Sequence, residues 1–303
     1  MTTYALVTLP VADLRREPAD SPARDGRDEG RLSQVLYDEA LLVADEQGEW
    51  LHVVAMEQRK FFGPAGWGGY PGWVRKAAVA MSEKPPAWNA SVRSACAAVA
   101  ERPSPKAAAL FHLSLGTRLP AMGEAGGFLE IPLSQGKSGW VSKKDVAFAG
   151  SPGPAKQDVG RELIRLARLF LGVPYLWGGR SMPLPTSASV NGVDCSGLVN
   201  LVFRALGKDV PRDAHDQWLA SCPIRPDELQ PGDLIFLSRD EGLESVNHVM
   251  LSLGGERIIE APRTGEVVCM GSLSERLGCD PSTLKGHEFT LEAKKVIFGR
   301  IEG

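Results

Sequence analysis

Cys195 and His248 are the residues of this 303-residue chain whose types and settings could carry covalent chemistry. A thiolate is the reactive form of cysteine, and a helix N-terminus favours it because unsatisfied backbone N–H groups there carry partial positive charge. Cys195 stands where Asp194-Cys195-Ser196-Gly197 opens an apolar helical run (Leu198, Val199, Leu201, Val202, Phe203, Leu206) that ends at Gly207. Cys96 lies in an alanine-rich β edge, and Cys222, Cys269 and Cys279 sit near loops with no helix opening behind them. Free cysteines of that kind behave as small hydrophobes. His248 begins the apolar strand His-Val-Met-Leu-Ser-Leu, and a base mounted on a rigid strand suits a nucleophile fixed on a helix. Taken singly, His248 also reads as a strand-edge histidine satisfied by backbone, as do His52, His112, His215 and His287.

The elements that must position this pair follow a change of texture near residue 157. Arg161–Leu171 places Leu163, Ile164, Ala167 and Leu171 on one helical stripe, stopped by Gly172, Val173 and Pro174. The helix after Cys195 comes next, then strand-like segments at 233–237, 248–253, 257–261 and 295–301. Helices first and strands afterwards imply an α+β catalytic domain over 157–303. Upstream, short apolar runs at 4–9, 34–37, 40–44, 50–55 and 72–74 describe a small all-β unit over 1–80. Pro85 and Pro86 mark a linker, a second β unit covers 88–150, and Ser151-Pro-Gly-Pro154 links it to the rest. The two β units share a repeat. Gly72-Trp73-Val74 is echoed by Gly139-Trp140-Val141, and Gly48-Glu49-Trp50-Leu51-His52-Val53 by Gly126-Gly127-Phe128-Leu129-Glu130-Ile131.

Composition narrows the partners. With 34 basic and 37 acidic residues there is no global field to draw in nucleic acid or an anionic membrane, so a small or mixed-charge substrate is expected. Five scattered cysteines without C-x-x-C or zinc spacing argue against a disulfide framework or structural metal, and no cofactor is implied. No segment reaches the roughly 18 consecutive apolar residues of a membrane span. The N-terminus lacks a basic, apolar leader, so the chain as written reads as cytoplasmic, with a periplasmic or extracellular site as the alternative if a leader has been removed.

Four motifs then fall in order: Pro174-Tyr175-Leu176-Trp177-Gly178-Gly179, Asp194-Cys195-Ser196-Gly197, Pro231-Gly232-Asp233-Leu234-Ile235-Phe236 and Asn247-His248-Val249. They resemble the NlpC-type family of papain-like cell-wall cysteine peptidases, and the paired Gly-Trp-Val units resemble tandem bacterial SH3-like β-barrels. The resemblance implies that Cys195 attacks an amide and His248 is the base. The family usually follows its base with another histidine about one hairpin beyond, where this chain has Glu260. A carboxylate can accept the imidazole's second N–H, fix the tautomer and stabilise the imidazolium. Side chains alternate along a strand, so a hairpin at Gly254-Gly255-Glu256 puts Glu260 on the face of His248 if its loop count is odd, and away from it if even without a bulge. An exposed strand glutamate is the plain alternative.

The resemblance further implies hydrolysis between γ-D-glutamate and a diamino acid in short peptides with a free N-terminal L-alanine. Asp194 and Tyr70 would hold the amine, with Glu29 as an acidic partner. A carboxylate aimed at the sulfur would oppose its ionisation, so Asp194 must face elsewhere. Arg212, beside Asp213, would bind the glutamate α-carboxylate. Tyr175, Trp177 and Ser196 would line the cleft, with Tyr175 and a backbone N–H near Cys195 on the oxyanion. The long span Arg180–Asn191 would wall the cleft or be a neutral loop insertion. A wall-peptide-binding protein with weak or no activity, and an amidase or acyltransferase on the same scaffold, stay open as alternatives.

Overall fold

The structure, a computed structural model, describes residues 3–20, 27–133, 136–148, 158–187, 189–238, 245–284, 286, 288–291 and 294–302. The Ser151–Pro154 linker and His287 lie outside them. The first unit contains β1 (Tyr4–Val7), β2 (Val11–Arg15), β3 (Arg31–Leu36), β4 (Ala40–Gln47), β5 (Trp50–Phe61), β6 (Trp67–Arg75) and β7 (Val79–Ser82), in the order β3-β2-β6-β5-β4-β1-β7. The second contains β8 (Ala90–Val92), β9 (Cys96–Ala100), β10 (Ala109–Ser114), β11 (Arg118–Leu119), β12 (Gly123–Ala125), β13 (Phe128–Pro132), β14 (Ser138–Ser142) and β15 (Val146–Phe148), arranged as β10-β9-β14-β13-β12 and β11-β8-β15. These pairing orders are those of open sheets rather than closed barrels.

The repeat read from the sequence occupies equivalent registers. Gly72-Trp73-Val74 pairs with Val53-His52-Leu51, and Gly139-Trp140-Val141 pairs with Ile131-Glu130-Leu129. Each glycine sits where another strand crosses closely: a Cβ would lie 2.6 Å from Leu14 Cγ at Gly72 and 2.5 Å from Val99 Cγ1 at Gly139. Only a residue without a side chain lets the strands approach that far. Strand β2 lies outside the apolar runs of the sequence, because Asp13 and Arg15 interrupt its pattern. Arg15 is buried and grips Asp28 at 2.6 and 3.2 Å, while Arg31 reaches Asp13 at 2.9 Å. Paired charges are tolerated where lone ones are not.

The third unit has α1 (Val159–Arg168), α2 (Cys195–Ala205), α3 (Ala214–Leu219) and α4 (Leu273–Leu277). Its seven-stranded sheet is built from β16 (Cys222–Pro223), β17 (Leu234–Leu237), β18 (His248–Gly254), β19 (Arg257–Glu260), β20 (Cys269–Ser272), β21 (Glu288–Leu291) and β22 (Lys294–Arg300). Its main path is β16-β22-β17-β18-β19-β20, with β21 pairing on β22. Period-two alternation divides the sheet. Leu234, Phe236, Val249, Leu251, Ile259 and Ile297 join α1 and α2 in one core, while Ile235, Met250, Ile258 and Phe298 join Leu273 of α4 in another. All eleven residues of α2 are buried, so Cys195 is carried by a helix that packing fixes on every side. Helix α1 stops at Arg168, three residues earlier than its pattern suggests. Leu163, Leu166, Ala167 and, beyond its end, Phe170 face the core, while Leu171 is exposed in the turn that follows.

Two segments join the three units. The far end of β5, past a bulge between Ala55 and Arg59, reaches the third unit: Arg59 O accepts from Arg212 N at 3.0 Å, Lys60 pairs with Asp213 at 2.7 Å, and Phe61 N donates to Asp216 at 3.1 Å. The span Arg180–Asn191 ties the three units together. Buried Arg180 binds Glu39 of the first unit at 3.0 Å and Asn200 of α2 at 2.6 Å, and Met182 N donates to Ser114 of the second at 2.9 Å. Met182 and Leu184 enter the catalytic unit's core. Arg204 on α2 extends the junction to Glu57 at 2.7 Å and Gly116 O at 2.9 Å. Removing one partner from such a buried network costs about 3–5 kcal/mol, so the arrangement around the site is held firmly.

Candidate active site

Asp194 is the N-cap of α2. Its Oδ1 accepts from Gly197 N at 2.6 Å, which starts the helix and leaves Cys195 in its first turn. Oδ1 also accepts from Ser196 Oγ at 3.2 Å and Arg212 Nη1 at 3.0 Å, and Oδ2 from Gly178 N at 3.1 Å and Arg212 Nη2 at 2.7 Å.

Arg212 corrects an expectation. It is 1% exposed, and all five of its N–H groups are engaged: Nε on Ser33 Oγ at 2.8 Å, Nη1 on Asp194 and on Ser196 Oγ at 3.0 Å each, Nη2 on Asp194 at 2.7 Å and Gly179 O at 3.3 Å. No donor is left for a substrate carboxylate. The guanidinium instead locks the cap of the nucleophile's helix to the first unit through Ser33. Ser196 is buried between the same two charges.

His248 opens β18 and Glu260 ends β19. The loop between them is a two-residue turn, Gly255-Glu256, with Gly254 opposite Arg257, and a register shift adds Leu253 as a bulge. Ser252 therefore pairs with Ile258, and Glu260 lies across from Met250 on the face of His248. Two positions along, the side chains meet, with His248 Nε2 2.5 Å from Glu260 Oε2. The other ring nitrogen, Nδ1, is left for the Cys195 thiol. Burial alone pulls the imidazole's pKa down, but the hydrogen bond and charge of Cys195, then those of Glu260, outweigh it and raise it to about 9. Burial pushes the Glu260 carboxyl up, and His248 and Arg276 together bring it below its ordinary value. Arg276, on α4, donates from Nε to Oε1 at 2.9 Å and Oε2 at 3.2 Å. Nothing in the pattern of a five-residue helix marked it.

Tyr175 and Trp177 are half-buried, and Tyr175 lies within electrostatic reach of Cys195 and Asp194. Burial, then the charges of Asp194 and Cys195, raise the Tyr175 pKa, so its hydroxyl stays a donor. The first unit lies against this wall: Arg31 Nη1 donates to Trp177 O at 3.3 Å, and the Arg27 guanidinium stacks 3.4 Å from the Trp177 ring centroid. Tyr70 is buried, and its hydroxyl donates to Asp213 at 3.0–3.1 Å, beside Lys60. Glu29 lies beside the Arg27 that stacks on Trp177. It is exposed, 3.6 Å from Arg27, whereas its neighbour Asp28 is the buried acid. His52 stacks on Trp73, His112 meets Thr186, and His215 accepts from Val246 N. Cys269 lies on β20 opposite Glu260, on a strand rather than in the loop setting expected. A cavity of about 560 Å³ borders His248 and Glu260 and is lined also by Arg263, Glu266, Cys269 and Arg276. No metal-holding cluster occurs among the described residues.

A helix-mounted thiol, an imidazole hydrogen-bonded to it and a buried carboxylate behind the imidazole can perform acyl transfer through a thioester. Comparison with known proteins agrees. Residues 172–280 match the NlpC/P60 family. The chain is 31% identical over 245 residues to the gamma-D-glutamyl-L-lysine dipeptidyl-peptidase of Bacillus subtilis, spanning 81% of this chain and 77% of that protein. It is 31% identical over 242 residues to the enzyme of the same description from Bacillus cereus, spanning 76% and 67%. The crystal structure of a NlpC/P60 family protein from Bacillus cereus superposes with a TM-score of 0.74 at 27% identity, over 89% of this chain and 94% of that one. This chain therefore belongs to the NlpC/P60 family and is a cysteine-type peptidase.

Proposed function

We propose that the protein hydrolyses the bond between γ-D-glutamate and the following diamino acid in short cell-wall peptides that carry a free N-terminal L-alanine. The observation that carries this reading is the seating of the first unit against Tyr175–Gly179 and Asp213. Arg31 and Arg27 sit on Trp177, and Tyr70 and Lys60 on Asp213, and in this reading these contacts close the acyl side of the cleft. A cleft closed there suits a dipeptide acyl group rather than a long chain. The relatives named gamma-D-glutamyl-L-lysine dipeptidyl-peptidase support the same substrate class. In this reading the first two units are SH3-like modules, the first of which completes the cleft. The ammonium group is received at the edge formed by Tyr70 and the one-third-exposed Asp213 carboxylate, next to Asp194.

His248 Nδ1 takes the proton of Cys195 ahead of attack, giving a thiolate–imidazolium pair; the sulfur then bonds to the γ-carbonyl carbon, and the oxyanion is met by backbone N–H at Cys195 and the Tyr175 hydroxyl. The C–N bond breaks as the imidazolium returns its proton to the leaving amine, giving a thioester and the free diamino acid. Water, deprotonated by His248, then cleaves the thioester, releasing L-Ala-γ-D-Glu and the thiol. Glu260 keeps Nε2 protonated and oriented throughout.

Mass spectrometry of products from L-Ala-γ-D-Glu-diamino acid, from its N-acetylated form and with a Cys195→Ala control tests this. Release of L-Ala-γ-D-Glu is expected from the free-amine peptide alone. Equal cleavage of the acetylated peptide would remove the amine requirement, and no cleavage of either would remove the reaction.

A further inference from the structure

Glu260 is nearly buried, with a side chain 8% exposed, and shares its two oxygens between an imidazole and a guanidinium. We propose that Arg276 is a positioning residue of the hydrolysis, holding the Glu260 carboxylate in the orientation that makes His248 present Nδ1 to Cys195; for its substrate readout this rests on the function proposed above. A carboxylate on a single strand-end side chain can rotate about its last bonds, and one hydrogen bond to His248 does not fix both oxygens. Arg276 supplies the second constraint, with Nε at 2.9 and 3.2 Å. Its own helix is pinned independently, because Leu273 is buried and its N–H donates to Glu256 O at 2.7 Å. The arginine thus reaches the carboxylate from a fixed point on another element, α4.

The other charged or titratable groups near Glu260 do not duplicate this role. Cys269 faces it across β19–β20, with its thiol pKa raised by burial and then by the charges of Glu260 and Glu266. Arg263 is paired with Glu266 at 2.6 Å within the neighbouring loop. Among the described residues these, with His248 and Arg276, are the charged or titratable groups that line the adjoining cavity.

Arg276→Ala and Arg276→Lys, each made in wild type and in Glu260→Gln, provide the test. One readout is the pH dependence of Cys195 alkylation by iodoacetamide, followed by peptide mass mapping, which needs no substrate. The other is kcat and KM for the L-Ala-γ-D-Glu-diamino acid tripeptide. In wild type, Arg276→Ala should lower kcat roughly ten- to hundredfold with little change in KM, on the scale of groups that support an active-site histidine. It should also move the acidic limb of both profiles to higher pH, since Glu260 then takes a proton more readily. Arg276→Lys should recover most of the rate. In Glu260→Gln, Arg276→Ala should cause no further loss and should recover part of the rate, because the glutamine amide is then free to turn its oxygen toward His248 Nε2. An equal loss in both backgrounds, or an unmoved acidic limb, would overturn the proposal. Should Arg276→Ala not fold, the lysine variant and Arg276→Gln carry the same comparison. If no tripeptide is cleaved but the alkylation limb moves, the proposed function fails and the positioning role stands.

Discussion

Replacing Glu260 with glutamine removes one charge and keeps the shape, so the outcome can be worked from the hydrogen bonds. His248 is raised from 6.5 to about 9, in favour of the imidazolium. Cys195 contributes ahead of Glu260, so losing the carboxylate charge should lower the His248 pKa by about one unit, not by the whole shift. The basic limb of kcat/KM then moves from near pH 9 to near pH 8, a loss of about threefold at pH 8.5 that is absent at pH 6.5. A second, pH-independent loss comes from Arg276. Its Nε donates to the position of Oε1, so the glutamine carbonyl oxygen settles there and its NH₂ faces His248 Nε2. That favours the tautomer with the proton on Nδ1, which cannot accept a proton from Cys195. A wrong tautomer of this kind costs up to about 10⁴-fold in kcat in the serine-protease triad. Tripeptide hydrolysis followed by chromatography from pH 5.5 to 10 reads both parts. A variant with near wild-type kcat/KM and a basic limb still near pH 9 would show that Glu260 neither orients nor charges His248.

Two other substitutions test the surroundings. Arg212→Lys exchanges five directed N–H groups for three and loses the bidentate grip on Asp194; it should cost about 3–5 kcal/mol, with a lower Tm and kcat at unchanged mechanism, and an unaltered Tm would show that the cap of α2 does not need the guanidinium. Asp38, at φ 63°, has its carboxyl pushed up to about 7 by burial first and by Glu57 second, and its Oδ2 finds no hydrogen-bond partner among the described residues. A folded-state pKa above the unfolded value, about 3.9, means this group's stabilising contribution is complete below pH 3.9 and is lost as pH rises to about 7. Asp38→Asn, which tolerates the same backbone, should therefore raise Tm at pH 8, on the order of 1 kcal/mol, with little difference near pH 4. Equal melting curves at pH 8 would count against the shift.

The nucleophile and base were legible because their chemistry is tied to local pattern: a capping aspartate before an apolar helical run, and a histidine opening an apolar strand. Glu260 was legible in part. Its face depended on a parity that only the bulge at Leu253 decided, and bulges leave little trace in a strand of Leu, Ser and Gly. Arg276, Arg212 and Arg180 were not legible in their actual roles. Each is an arginine in an unremarkable stretch whose partner lies far off in sequence or on another element, so its meaning appears only when the chain closes.

Those three arginines also explain how a loop-rich site stays in register. Cys195 is fixed by a buried helix whose cap Arg212 ties to Ser33, and Arg180 ties the same helix, through Asn200, to Glu39. Both tethers end on the first unit, which also supplies the contacts on Trp177 and Asp213. The first unit is thus bonded to the helix that carries the thiol, and its position relative to the nucleophile does not depend on the linker between units. On the other side, His248 is set by its strand and by a carboxylate that a fourth helix holds in turn. A bimolecular cleavage gains most when both reacting partners are held this way, because the entropy of bringing them together has been lost on folding rather than at each turnover.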